Sequence, residues 1–221
     1  MEAISPYSSE AFQLLPGLED SNHAFQSSGG QPLLQSHFRD LFVRYNVTDQ
    51  FGVALVHRHF NLGDDEILVD VNGTSTPWQK PSPDDKTGSL RRYDRSIRPQ
   101  SWTVDRDGHL MPYEFFLDED SSGADEMQSV DPAFLAEFLA LLTNLKLTGV
   151  LGLRLIRGSE SRRIEVTERN ANITFPVPDG SIPPSDGHLE AAWAFPAAAD
   201  VSATASSGAP VTRDWSVNSD L

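Results

Sequence analysis

The stretch 51–60, FGVALVHRHF, constrains this chain more than any other. Its apolar run ends in two histidines, and an acidic turn (61–65) and the segment EILVDV (66–71) follow. Apolar, β-branched runs bounded by turn residues read as strand, turn and strand. Side chains alternate along a strand, so His57 and His59 are expected to point the same way. With 61–65 as the loop, His59 falls opposite Ile67 and His57 opposite Val69. One face then carries Phe51, Val53, Leu55 and both histidines with Ile67, Val69 and Val71. The other carries Arg58 with Glu66 and Asp70 within ion-pairing reach, and a one-residue slip would scramble both faces.

Two stretches have helical period instead. Leu34, Phe38, Leu41, Phe42 and Tyr45 fall on one face of a helix over 33–45. Over 131–147, Phe134, Leu135, Phe138, Leu141, Leu142 and Leu145 form a continuous stripe, after Asp131 as N-cap and Pro132 at the first helical position. Further strands are expected at 102–104 and 111–117, turned through Asp107-Gly108, with Pro112 at an edge or bulge. A second hairpin pairs 149–157 with 162–168, placing Leu155 opposite Ile164, Leu153 opposite Val166, and Arg154 opposite Glu165 on the polar side. Strands at 173–177 and 189–195 follow. The order helix, strand, strand thus occurs at 33–71 and again at 131–168, which suggests a duplicated unit.

These elements predict a single α+β domain over 33–195, an antiparallel sheet built from hairpins with two amphipathic helices on one face. The Ser/Gly-rich segment 1–32 and the Ala/Ser/Thr-rich segment 196–221 read as a mobile N-terminal arm and a mobile C-terminal tail. Residues 73–100 read as a long irregular loop. It holds a basic cluster, Arg91, Arg92, Arg95 and Arg98, in an otherwise acidic chain.

Composition excludes several classes. The net charge of −15 argues against nucleic acid as a partner, which requires a basic footprint. Zero cysteines leave no disulfide framework, thiolate nucleophile or cysteine-based zinc site. No apolar run approaches the roughly 18 residues of a membrane span, and the first residues lack a secretory pattern, so a cytoplasmic protein without a membrane partner is expected. No P-loop, nucleophile elbow or Rossmann glycine pattern occurs.

What remains is the histidine pair. The expected function is binding or scaffolding of a small molecule or a protein, in a pocket beside His57 and His59. Arg91, Arg92, Arg95 and Tyr113 are the candidate ligand contacts. The alternative is an enzyme. There His57 and His59 either ligate a divalent metal, completed by His109, Glu114, His37 or His188, or one of them is a general base. Glu114 or Tyr113 would then be the partner acid, and the aromatic setting of Glu114 in PYEFF is one that raises a carboxyl pKa.

The order Gly52, His57, His59, Glu66, Gly73 resembles the first cupin motif, although the spacing is short before His57 and long before Glu66. The segments FGVALVHRHFNL, EILVDVNGTSTPW and MPYEFFL resemble a group of uncharacterised filamentous-fungal proteins. That resemblance implies a fungal intracellular protein with a place in specialised metabolism. It assigns no fold, activity or residue role.

Overall fold

The structure, a computed structural model, describes residues 4–80, 96–118, 126–157, 163–176 and 189–195, and the backbone of 211–218. Both amphipathic stripes form helices. The first is α3 (Gly30–Leu33), which runs through one π-helical turn (Leu34–Phe38) into α4 (Arg39–Arg44). The second is α5 (Pro132–Asn144), capped by Asp131, whose Oδ1 accepts the N–H of Ala133 at 2.8 Å. Leu34, Phe38, Leu41 and Phe42 from the first meet Phe134, Leu135, Phe138 and Leu142 from the second in one buried cluster. Their rings meet mostly edge to face, as the ring quadrupole favours: Phe42 lies 5.2 Å from Phe134 at 90°.

Segment 4–33 is part of this body. Two short helices, α1 (Ser9–Gln13) and α2 (Leu18–Ser27), bury Phe12, Leu18 and Phe25, and Phe25 stacks on Trp193 at 5.0 Å. Ser5 N–H donates to the carbonyl of Leu110 at 2.9 Å. The expected mobile arm is corrected accordingly. Pro16 and Gly17 divide its apolar positions between two helices, each too short to show a long periodic pattern.

Among the described residues ten strands form a closed ring. They are β1 (Phe51–Leu55), β2 (Glu66–Val71), β3 (Thr74–Gln79), β4 (Ile97–Val104), β5 (Leu110–Leu117), β6 (Leu151–Leu155), β7 (Arg163–Glu168), β8 (Ala171–Pro176), β9 (Leu189–Ala194) and β10 (Val211–Asn218). Around the ring the order is β1-β6-β4-β5-β2-β3-β8-β7-β10-β9, and β9 pairs back onto β1. The β2–β5 and β7–β10 contacts are parallel and the others antiparallel, so the fold is α+β with a mixed sheet. Closure leaves no long edge to template aggregation.

Three tight turns join neighbours in the ring: β2 to β3, β4 to β5 and β7 to β8. The β4–β5 turn runs through Asp107-Gly108 as expected, with Gly108 at φ +84°. Pro112 lies opposite Trp102, directly beside a register shift in β4. The other two expected hairpins do not form. β1 pairs with β6 and β9, and β2 with β3 and β5; β6 pairs with β1 and β4, and β7 with β8 and β10.

The physical reason is the helical layer. Phe51, Val53 and Leu55 of β1 and Leu151, Leu153 and Leu155 of β6 share the cluster beneath the helices, in a register that sets Val53 opposite Leu153. An apolar wall of that width requires the two strands side by side. The order helix then strand therefore recurs, but in neither case is the following strand the partner.

Two further expectations change. The segment 73–100 contributes β3 and the start of β4, while its residues 81–95 lie outside the described residues. In the expected tail, 211–218 is β10, which pairs with β9 and β7 and closes the ring. Its sequence VTRDWSVN is β-forming, whereas the Ala/Ser/Thr composition that suggested a tail belongs to residues before it.

Candidate functional site

Strand alternation carries one set of side chains outward to the helices and the other into the ring. On β1 and β6 the inward set is small: Gly52, Ala54 and Gly152, then Arg154. A Cβ on Gly52 would collide with the carbonyl oxygen of Trp193, and one on Gly152 with that of Trp102. The two glycines thus permit the close strand approach that shuts the barrel. The other strands send polar groups inward: Asp70 from β2, Glu114 from β5, Arg163 and Glu165 from β7, Asn172 and Thr174 from β8. They line a cavity of about 740 Å³, counted with its open mouth.

The histidines lie where β1 ends. The strand stops at Leu55, and the chain crosses towards α1, where Arg58 N–H donates to the carbonyl of Pro16 at 2.9 Å and Arg58 Nη1 to that of Gln13 at 2.5 Å. His57 and His59 are thus in an irregular segment and not in the expected strand. Their rings nevertheless meet, 4.7 Å apart and at 76°. Arg58 projects away from them, as expected, though its partner is backbone and not Glu66 or Asp70.

His57 Nδ1 lies 2.9 Å from the carbonyl oxygen of Leu55. A carbonyl only accepts, so Nδ1 carries the hydrogen and Nε2 presents a lone pair. That Nε2 is buried and has no hydrogen-bond partner. His59 Nε2 lies 3.1 Å from Glu114 Oε1, both side chains being buried, and its Nδ1 lies 3.4 Å from the Thr167 hydroxyl. Glu114 Oε2 also accepts from Ser101 Oγ at 2.5 Å and faces Arg154 Nη1 at 3.8 Å, while Arg154 Nη2 reaches Glu165 Oε1 at 3.3 Å. Nearer the mouth, Arg157 holds Asp70 at 3.0 Å and stacks over Phe116 at 4.2 Å.

The charges follow from these contacts. Burial alone would raise the Glu114 carboxyl, but the His59 hydrogen bond, Arg154 and Ser101 bring it down to about 2. The rise expected from its aromatic neighbours is therefore corrected, and Glu114 is a carboxylate at neutral pH. Glu165, equally opposed by burial, is lowered by Arg154 and then His59. Burial and then the neighbouring His59 hold His57 down to about 4, which keeps it neutral. For His59 burial works against the charge, yet Glu114 and Glu165 outweigh it and raise the pKa. Burial, followed by Glu114, pushes the Tyr113 phenol well up.

Of the residues expected in a site, the structure brings together His57, His59 and Glu114. Tyr113 adjoins them on β5, packed with Phe12, Leu15, Val56, Leu62 and Leu68 in a second apolar cluster. His109 sits in the β4–β5 turn near Asp105, and exposed His37 contacts Ser36. Glu66 accepts from the N–H of Gly63 at the start of β2 and takes no part in the histidine cluster. Arg91, Arg92, Arg95 and His188 lie outside the described residues.

Sequence reasoning missed Asp70, Arg157 and Arg163 as site residues and misplaced Arg154 and Glu165. It paired those two across a hairpin, whereas they meet inside the barrel from strands that are not neighbours. The available signal was a charge set between apolar residues: Arg154 in LGLRL, Asp70 in EILVDV and Glu165 in RIEVTE. One donor each from His57, His59 and Glu165 lies within 4.8 Å of the other two, a set that could hold a metal ion.

Fold and site together define a closed, mixed β-barrel with helices on its outside and an ionised interior. Comparison with protein-family models, with curated proteins and with solved structures gave no match. Among the described residues no helix is long and apolar enough to cross a membrane.

Proposed function

We propose that the barrel is a receptor for a small organic anion, held in the cavity above the His59–Glu114 pair. The observation that carries this reading is Arg163. The cavity is lined by three carboxylates and three arginines, although the chain as a whole carries −15. Asp70 is engaged by Arg157, Glu114 by His59 and Ser101, and Glu165 by Arg154. Arg163 forms no ion pair among the described residues, and its buried Nε takes no hydrogen bond. A partly buried guanidinium in that state is matched best by a ligand carboxylate, which it can grip through two parallel hydrogen bonds.

The test is calorimetric titration and thermal shift with a panel of two- to six-carbon mono- and dicarboxylates and their neutral amides. At least one carboxylate is expected to bind while its amide does not. Arg163→Gln is expected to weaken that binding about 10- to 100-fold, the loss of a charge-assisted contact worth roughly 1.5–3 kcal/mol. Equal binding of acid and amide, or binding unaffected by Arg163→Gln, would sink the reading.

A further inference from the structure

The orientation of the two histidines points to a second ligand beneath the cavity. Imidazoles that ligate metals usually donate their other ring N–H to a backbone carbonyl or a carboxylate, which fixes the tautomer and aims the free nitrogen. Both histidines have that arrangement. His57 uses Nδ1 on the carbonyl of Leu55, leaving Nε2 buried and unpartnered. His59 uses Nε2 on Glu114, leaving Nδ1. Nδ1 lies 3.4 Å from the Thr167 hydroxyl, which donates to Asn172 Oδ1 at 3.2 Å. Glu165 supplies a carboxylate oxygen within 4.8 Å of a nitrogen of each. The buried, unpartnered Nε2 of His57 beside a second imidazole and a buried carboxylate is costly unless a further group lies among them, and a cation suits these donors.

We propose that His57, His59 and Glu165 form a binding site for a divalent first-row transition metal, of which zinc and cobalt(II) are the test ions. Two imidazoles and one carboxylate suit such ions better than magnesium or calcium, which take oxygen donors. Closing onto an ion at about 2.0–2.2 Å from each donor draws the three side chains inward from their present spacing. Leu55 and Glu114 orient the two imidazoles, and Arg154 orients Glu165. Glu165 also lines the cavity, so the metal site would adjoin the space where the anion would bind. The metal site does not depend on the anion reading, because none of its ligands is Arg163.

The experiment titrates chelator-treated full-length protein with cobalt(II), followed by visible absorption and calorimetry, with zinc added as competitor. One cobalt per chain is expected, displaced by zinc. Glu165→Gln, which keeps its shape, is expected to weaken binding about 100-fold or more, and the second-sphere change Glu114→Gln about 10- to 100-fold. Asp107→Ala, in the acidic β4–β5 turn, is expected to leave affinity unchanged. His57→Ala serves as a second ligand variant where circular dichroism shows it folded; Glu165→Gln decides otherwise. Absence of stoichiometric cobalt binding by the native protein, or a Glu165→Gln variant that binds as the native protein does, overturns the site. Carboxylate binding lost in Arg163→Gln but kept in Glu165→Gln separates failure of this site from failure of the receptor reading.

Discussion

Glu114 shows how far the partners of one residue can reverse what its neighbours in sequence suggest. Between Tyr113 and Phe115 it reads as a carboxyl whose proton is retained. In the barrel it faces His59, Arg154 and Ser101 and is held as the anion. Tyr7 offers a residue-scale test in the other direction. Its hydroxyl donates to the carbonyl of Glu66 at 3.0 Å, and burial, then the Glu66 carboxylate, pushes its pKa from the ordinary 10.0 up to about 12. Folding thus favours the neutral phenol. That contribution is fully present below pH 10 and is lost as pH rises from 10 towards 12. Tyr7→Phe is expected to cost about 1 kcal/mol at pH 8, the worth of one hydrogen bond. It is also expected to lose less stability than the native protein over that alkaline interval. Urea unfolding at stepped pH measures both, and parallel loss in the two proteins would contradict the assignment.

At the scale of elements, the two long helical stripes and the β4–β5 hairpin were legible in the sequence, and the other strand partners were not. A helical stripe names its own buried face, so Phe38, Phe42, Phe134 and Phe138 could be placed in the core from their spacing alone. Strand alternation also names a face, but it is silent on which strand lies alongside. Val53 and Leu153 were both read as apolar, yet nothing local says that they face each other across β1 and β6. The same gap set Arg154 and Glu165 on the two strands of a hairpin that does not form. The histidine pair and Glu114 could be found because the two histidines stand two residues apart and Glu114 lies among aromatics, whereas Glu165 and Arg163 reach the cavity only through ring closure. One glycine tests that closure. Gly152→Ala places a methyl group against the carbonyl of Trp102 on β4, and a loss of about 1–3 kcal/mol by chemical denaturation is expected. A neutral effect would mean that β6 and β4 have room to separate.

For the molecule as a whole, the site is a property of the ring and of no smaller unit. Its polar groups come from each of β2 to β8 and from the segments after β1 and β6, and β10 joins β7 to β9 to complete the wall. A chain truncated after residue 195 lacks β10 and exposes the free sides of β7 and β9. It is expected to aggregate or dimerise in gel filtration and to bind neither carboxylate nor cobalt. A monomer of unchanged affinity would show that the last strand is dispensable.

The strand that completes the wall is also the last of the ten to be synthesised. A nascent chain can assemble its helical layer and most of its sheet while still on the ribosome. The recess that holds Arg163 gains its full enclosure only after residue 218 has emerged, so its ligand meets a closed wall only once this strand has been made.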